Sequence, residues 1–323
     1  MGRWLLGDIG GTNARFALAG EGGIGPTAAL KVEDYPDPQM AIRRFLAETE
    51  RPPERAALAI AGPVGDDGTA ALTNGPWRFD AGQLGDDLGI ASVSLLNDFQ
   101  AVAWALPRLA VDDLLKIGGG KAQAGKPLAV LGPGTGLGVA GYLPALDAPL
   151  GQPWGESRPR VLVTEGGHVT LAAATQREAD IIALLRERFG HVSAERAICG
   201  VGLVNLHGVI AELEGQTVPE RSAAEILEAA ATGCPISAAA FETFCDLLGT
   251  VAADLALSLG AEGGVYLAGG ILPRVSERFA ASGFRRRFED KGRFSGYLAA
   301  IPTWLITRPN PAFLGLWSLL QEG

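Results

Sequence analysis

Two loops rich in glycine and hydroxyl side chains stand far apart in this chain: Asp8-Ile9-Gly10-Gly11-Thr12-Asn13 and Gly132-Pro133-Gly134-Thr135-Gly136-Leu137-Gly138. Each follows a short apolar run, Trp4-Leu5-Leu6-Gly7 or Leu128-Ala129-Val130-Leu131, of the kind that forms a buried strand. Glycine lets a backbone turn with positive φ and approach a ligand closely, and the exposed N–H groups and hydroxyls of such a turn donate to phosphate oxygens. Two such loops suit a phosphate chain gripped from both sides. Neither loop carries lysine, so the neutralising charge has to come from a cation such as Mg²⁺, and Asp8 at the strand end is placed to hold its hydration shell. Taken singly, each loop reads equally well as a glycine hairpin, and Asp8 as a turn residue.

Asn97-Asp98-Phe99 follows the apolar run Ser92-Val93-Ser94-Leu95-Leu96 and precedes a helical pattern over 99–106. Asp98 therefore falls where a strand ends and a helix begins, the ligand-facing edge of an open α/β sheet. Capping of that helix by Asn97 or Asp98 is the competing local explanation, and the two roles are compatible. Glu165-Gly166-Gly167-His168 follows Val161-Leu162-Val163-Thr164, and a tight turn there would present a carboxylate and an imidazole, a pair suited to fixing hydroxyls. His168 reads equally as a structural histidine, and the spacing is not that of a zinc site. Glu195, in Ser193-Ala194-Glu195-Arg196, reads locally as a dipole-complementing residue behind a Ser193 cap. Asn74, in Thr73-Asn74-Gly75-Pro76, reads locally as an Asn-Gly turn. Tyr266-Leu267-Ala268-Gly269-Gly270-Ile271 is a further strand and glycine turn where a flat group such as adenine could lie against backbone, given the two phosphate-type loops; without them it reads equally as a plain tight connection.

The elements that must position these residues alternate as in an α/β protein. Strands are predicted over 4–7, 14–19, 28–32, 55–61 and 93–96, with a helix over 38–50. The glycine-rich, polar stretch 116–127 marks a domain boundary. Beyond it a second β-rich opening is predicted over 128–131, 138–143 and 160–164, then helices over 178–189, 223–231 and 238–259, a strand over 264–268 and a helix near 273–281. Phosphate-type loops opening two β-rich halves suggest an architectural duplication. Gly120 to Lys126 matches Gly-x-x-x-x-Gly-Lys, but Pro127 follows where Ser or Thr is required and the segment precedes a strand, so we read it as a linker.

Composition limits the function classes. The 323 residues, 47% of them hydrophobic, suffice for two cores. A net charge of −9 without a Lys/Arg block argues against nucleic acid or an anionic membrane as partner. The chain enters a strand almost at once and has no long uninterrupted apolar stretch, so a cytoplasmic protein is expected. Three cysteines without a Cys-x-x-Cys support neither a disulfide framework nor structural zinc and are expected to be buried small hydrophobes.

Together these segments resemble the bacterial glucokinase family, ATP-dependent hexokinase relatives in the actin-like ATPase superfamily. The resemblance covers essentially the whole chain. The segments from Gly7 to Phe16 and from Gly132 to Gly138 resemble the family's two phosphate motifs, Leu96-Asn97-Asp98-Phe99 its catalytic segment, Glu165 to His168 and Ser193 to Arg196 its sugar-binding segments, and Ala268-Gly269-Gly270-Ile271 its adenosine segment. The stretches Ala281 to Arg285 and Phe288 to Phe294 also resemble this family rather than repressor-like sugar kinases, whose Cys-rich zinc loop is missing. A departure is Gly200-Val201-Gly202, where Gly-Pro-Gly is the pattern; we expect a slightly looser turn there and no effect on a contact.

The resemblance implies two actin-like (RNase H-like) α/β domains flanking a central cleft, 1–117 plus 309–323 with a returning C-terminal helix over 311–320, and 118–308. It implies a homodimer, ATP and Mg²⁺ as cofactors, and glucose as the phosphoryl acceptor. Asp98 would be the general base, and Asn74, Asn97, Asp98, Glu165, His168 and Glu195 would bind the sugar. Asp8, Gly10, Gly11, Thr12, Asn13, Gly134, Thr135, Gly136, Gly269 and Gly270 would bind the nucleotide, with Asp8 reaching Mg²⁺ through water. Closure on the sugar is expected to keep water from attacking ATP. A kinase for another hexose or an amino sugar is the nearest alternative, and a non-catalytic sugar sensor the more distant one.

Overall fold

The apolar run at the start of the chain becomes β1 (Trp4–Ile9), the middle strand of a five-stranded sheet. The computed structural model describes residues 3–49, 51–145 and 158–322. β2 (Asn13–Gly20) and β3 (Gly23–Lys31) return beside β1 as an antiparallel meander. Helix α1 (Pro38–Leu46) starts where the Asp37 side chain accepts the Met40 N–H, with proline at the first helical position. It stops four residues short of the predicted 50. β4 (Arg55–Ile60) then runs parallel to β1, and beyond a small hairpin, β5 (Thr69–Ala71) with β6 (Arg78–Asp80), and helix α2 (Ala81–Leu88), β7 (Ser92–Asn97) runs parallel to β4. The order β3-β2-β1-β4-β7 brings the C-terminal ends of three parallel strands side by side. Helix α3 (Asp98–Ala105) leaves directly from β7. Leu5, Phe16, Leu58, Ile60 and Trp77 fill the core beneath, and the Trp77 indole donates to the Tyr35 carbonyl at 3.0 Å.

The second sheet repeats the pattern. β8 (Leu114–Lys116) is followed by the irregular stretch 117–127 that carries the rejected Gly-x-x-x-x-Gly-Lys match, and then by the antiparallel hairpin β9 (Leu128–Pro133) and β10 (Leu137–Leu143) with β11 (Arg160–Thr164) alongside. Four helices follow: α4 (Gln176–Phe189), α5 (Gly200–Leu213), α6 (Ala223–Ala231) and α7 (Pro235–Leu259). β12 (Gly264–Leu267) adds parallel to β9, the short helices α8 (Ser276–Ala280), α9 (Phe284–Glu289) and α10 (Ser295–Ala300) follow, and β13 (Thr303–Ile306) adds parallel to β12. The order is β11-β10-β9-β12-β13-β8. In both sheets the strand before a glycine loop pairs antiparallel with the strand after it and parallel with a later one. Of the described helices, α7 alone is long and apolar enough to cross a membrane, and 67% of its most apolar window is buried within the fold.

Helix α11 (Ala312–Glu322) belongs to the first sheet. It packs on α3, β1 and β4, with the Arg55 guanidinium donating to the Leu320 carbonyl at 2.9 Å and the Trp317 indole to the Gly20 carbonyl at 2.8 Å. The chain accordingly divides into two compact units, Met1–Val111 with Arg308–Gly323, and Asp112–Thr307. Of the three cysteines Cys199 and Cys245 are buried as expected, while Cys234 is only half-buried.

Candidate active site

In the first unit the candidate residues gather at the C-terminal edge of the parallel strands. Asp8 sits on β1 between Arg15 of β2 and Ala59 of β4. The Arg15 guanidinium lies 3.8 Å from the Asp8 carboxylate, too long for a hydrogen bond but close enough to oppose the effect of burial, which pushes the Asp8 carboxyl above its usual range. The turn that follows is a tight hairpin closed by the Gly10 N–H on the Asn13 carbonyl at 3.0 Å, with Thr12 exposed at its tip. Gly11 lies so close to the Asn74 carbonyl that a Cβ would collide with it. Asn74 itself is exposed in a turn between β5 and β6.

Asn97 and Asp98 follow at the end of β7. The Asn97 side chain caps α3: its Oδ1 accepts from the Phe99 and Gln100 N–H groups, at 2.9 and 3.3 Å, and Gln100 closes a capping box. Its Nδ2 donates to the Gly62 carbonyl at 3.2 Å, tying the end of β7 to the chain leaving β4. One amide hydrogen is left for a ligand. Asp98 is half-buried and its Oδ1 also accepts the Phe99 N–H, at 2.9 Å. Burial, reinforced by the Asp8 charge and opposed by that N–H, raises its carboxyl to about 6.

In the second unit the β9–β10 turn is the centre. The Gly134 N–H donates to the Gly136 carbonyl at 2.8 Å, and the Gly134 carbonyl accepts from the Gly200 N–H at 2.9 Å. Thr135 is exposed at the tip. Two of the predicted sugar-binding segments meet at Leu137, the residue closing this turn. Its N–H donates to Glu195 Oε2 at 2.8 Å, and its carbonyl packs so tightly against Gly167 that no side chain fits there. Glu165 and His168 flank that glycine, both exposed, with His168 Nε2 at 3.9 Å from Glu165 Oε2. The local reading of Glu195 as a dipole-complementing residue behind a Ser193 cap does not hold: Ser193 makes no capping hydrogen bond, and the Glu195 carboxylate reaches across to Leu137.

Gly269, with φ of 89°, brings the end of β12 against the Pro133 carbonyl, and Gly270 is exposed beside it. A cavity of about 880 Å³ opens here, lined by Gly134, Thr135 and Gly270 together with Val201 and Val204 of α5 and Leu227 of α6. Glu228 and Arg274 add charge to its wall. Its size and apolar walls suit a base and ribose, with the phosphate loop at one side. The sequence reading missed α5 altogether, because 200–213 is apolar all round and carries no clean helical stripe. It also held Val201 to be neutral to any contact, whereas Val201 is exposed and lines this cavity. The available signal was the spacing of Val201 and Val204, which puts both on one face of a helix.

The family model described as Glucokinase matches residues 5–323. The chain belongs to the glucokinase family. A curated glucokinase of Paramagnetospirillum magneticum is 48% identical over 323 residues, covering 98% of this chain and 97% of that one, and one of Aromatoleum aromaticum is 48% identical over 326 residues. Among solved structures, a glucokinase from an Antarctic psychrotroph superposes with a TM-score of 0.88 at 36% identity, each chain covered in full. A glucokinase of the ROK family from Streptomyces griseus, solved with glucose and AMPPNP, superposes at 0.65 with 20% identity, a likeness of fold. The α/β architecture is thus the actin-like one of glucokinases and ROK sugar kinases.

Proposed function

We propose that the protein is a glucokinase that transfers the γ-phosphoryl group of ATP to the 6-hydroxyl of glucose, giving glucose 6-phosphate and ADP. The observation that carries the reading is Asp98, a half-buried carboxylate at a strand end, beside a hairpin loop of phosphate-binding type, in a chain 48% identical to a curated glucokinase. Asp98 takes the proton from the attacking hydroxyl and aims that oxygen at phosphorus. Asn97, Glu165, His168 and Glu195, with Asn74, hold the other sugar hydroxyls. Backbone N–H groups of Gly10 to Asn13 and Gly134 to Gly136, with the Thr12 and Thr135 hydroxyls, receive the phosphates, and the cavity beside Gly270 takes the adenosine. Phosphoryl transfer depends mostly on such positioning and charge stabilisation.

The residues present suit a magnesium ion held chiefly by phosphate oxygens and water. Among the described residues no group of three or more His, Cys, Asp or Glu converges as a metal cage, and Asp8, on the strand that enters the first glycine loop, offers a partly buried carboxylate. When bound, the ion would neutralise phosphate charge, with Asp8 holding one or more of its waters. We extend the family's homodimeric state to this chain on the same footing.

The test is a coupled assay for glucose 6-phosphate with ATP and Mg²⁺, run for wild type and Asp98→Ala. The variant should lose about 10²- to 10⁴-fold in turnover while ADP binding persists; near wild-type turnover by folded D98A would remove Asp98 as the base. With galactose or mannose in place of glucose, kcat/KM should fall by up to about 10⁴-fold, since an epimer misplaces one hydroxyl and leaves the polar groups that would bind it without their partner. Comparable efficiency on all three would identify a broad hexose kinase instead.

A further inference from the structure

The contact between Glu195 and Leu137 lies at one end of the β9–β10 turn. Leu137 ends the second phosphate loop, and its N–H is held by Glu195 Oε2 at 2.8 Å. A Cβ at Gly136 would meet the same oxygen, so a side chain there would push the Glu195 carboxylate aside. The other end of the loop is tied to the same stretch of chain, because the Gly200 N–H holds the Gly134 carbonyl at 2.9 Å. Between these two anchors the Cys199 thiol donates to the Glu195 carbonyl at 3.1 Å, and its sulfur accepts the Gly202 N–H at 3.2 Å. Residues 195–200 thus form a brace fastened to both ends of Gly134-Thr135-Gly136.

We propose that Glu195 is a positioning residue for this phosphate loop, and that its carboxylate links sugar occupancy to nucleotide affinity. A loop binds phosphate well only when its N–H groups are already convergent, and freedom gained by the loop is lost from affinity. A carboxylate accepts several hydrogen bonds, so Leu137 occupies one position and leaves others for a sugar hydroxyl. A hydroxyl bound there orders the same carboxylate that orders the loop, and the effect is reciprocal: sugar tightens nucleotide by the factor by which nucleotide tightens sugar. The linkage rests on the reading of Glu195 as a sugar ligand; the positioning role does not.

The experiment measures ADP binding calorimetrically without sugar, for wild type, Glu195→Gln, Glu195→Asp and Glu195→Ala. Glutamine keeps the reach and an acceptor oxygen, so E195Q should bind ADP within about twofold of wild type. Aspartate keeps the charge but is one methylene short, so E195D should lose fivefold or more, as should E195A, and amide exchange at Leu137 should quicken in both. Melting curves identify any variant that fails to fold, and E195D, a smaller loss of volume than E195A, carries the test if E195A does. Equal sugar-free ADP affinity in all folded variants overturns the proposal. Glucose binding is read separately. If E195D weakens ADP while every variant binds glucose as wild type does, the positioning role stands and the sugar contact falls. If the sugar contact holds, saturating glucose should tighten ADP by about fivefold or more in wild type and not in E195A; tightening retained in E195A overturns the linkage.

Discussion

Asp98 holds its proton more tightly than an ordinary aspartate because its half-buried site disfavours charge and Asp8 adds like charge nearby. At pH 7 it is still mostly ionised and competent as a base. Below about 6 it is protonated, so kcat/KM, which reports the free enzyme, should fall through an acid limb near that value, not near 4. A limb at the ordinary aspartate value would contradict the assigned environment. The sign for stability is opposite. A carboxyl raised in the folded state favours folding while protonated, and that contribution is lost as pH rises through the folded value. Asp98→Asn keeps an oxygen for the Phe99 N–H and removes the charge, so it should abolish most turnover yet melt at or above the wild-type temperature at pH 8, and no higher than wild type at pH 4. Asn97 shows why capping and ligand binding need not compete: its carbonyl oxygen serves α3, and its amide retains one hydrogen.

At the scale of elements, α4 and α9 are joined by an ion pair that tolerates no half-measures. Arg287 Nη2 and Nη1 approach the two Glu178 oxygens at 2.8 and 3.2 Å, both side chains under a tenth exposed, and Glu178 also accepts the Ala174 and Thr175 N–H groups at the start of α4. Arg287→Met would strand that carboxylate, at a cost of about 3–5 kcal/mol, visible as a lower urea midpoint with an unchanged slope. The same elements show what the sequence made legible. Strands and helices bounded by strong signals were read nearly to the residue, as with β11 and α6, the latter fixed by the Ser222–Glu225 capping box. The two glycine turns and the β7–α3 junction were readable because strand, turn and helix chemistry change within a few residues. What escaped was set by tertiary packing. α5 is held by Gly200 on Gly134 and by a cysteine cap, α9 and α10 are too short for a periodic pattern, and the cross-chain reach of Glu195 to Leu137 has no local signature.

For the molecule as a whole, the proposed base and the proposed adenosine cavity belong to different units, Asp98 to the first and the residues around Gly270 to the second. ATP hydrolysis without sugar should therefore be a small fraction of the sugar-dependent rate, the usual outcome when the correct substrate drives assembly of the site. A phosphate-release assay with and without glucose reads this directly, and rapid release in its absence would count against that requirement. The connectivity also sets an order of assembly during synthesis. The strands and helix bearing Asp8 and Asp98 leave the ribosome first, yet α11, which covers α3, β1 and β4, is made only after the entire second unit. The continuous unit can fold as it emerges, whereas the one carrying the base has to wait with part of its apolar surface uncovered. Nascent chains stalled shortly before α11 should therefore resist protease across Asp112–Thr307 while being cut within the earlier strands.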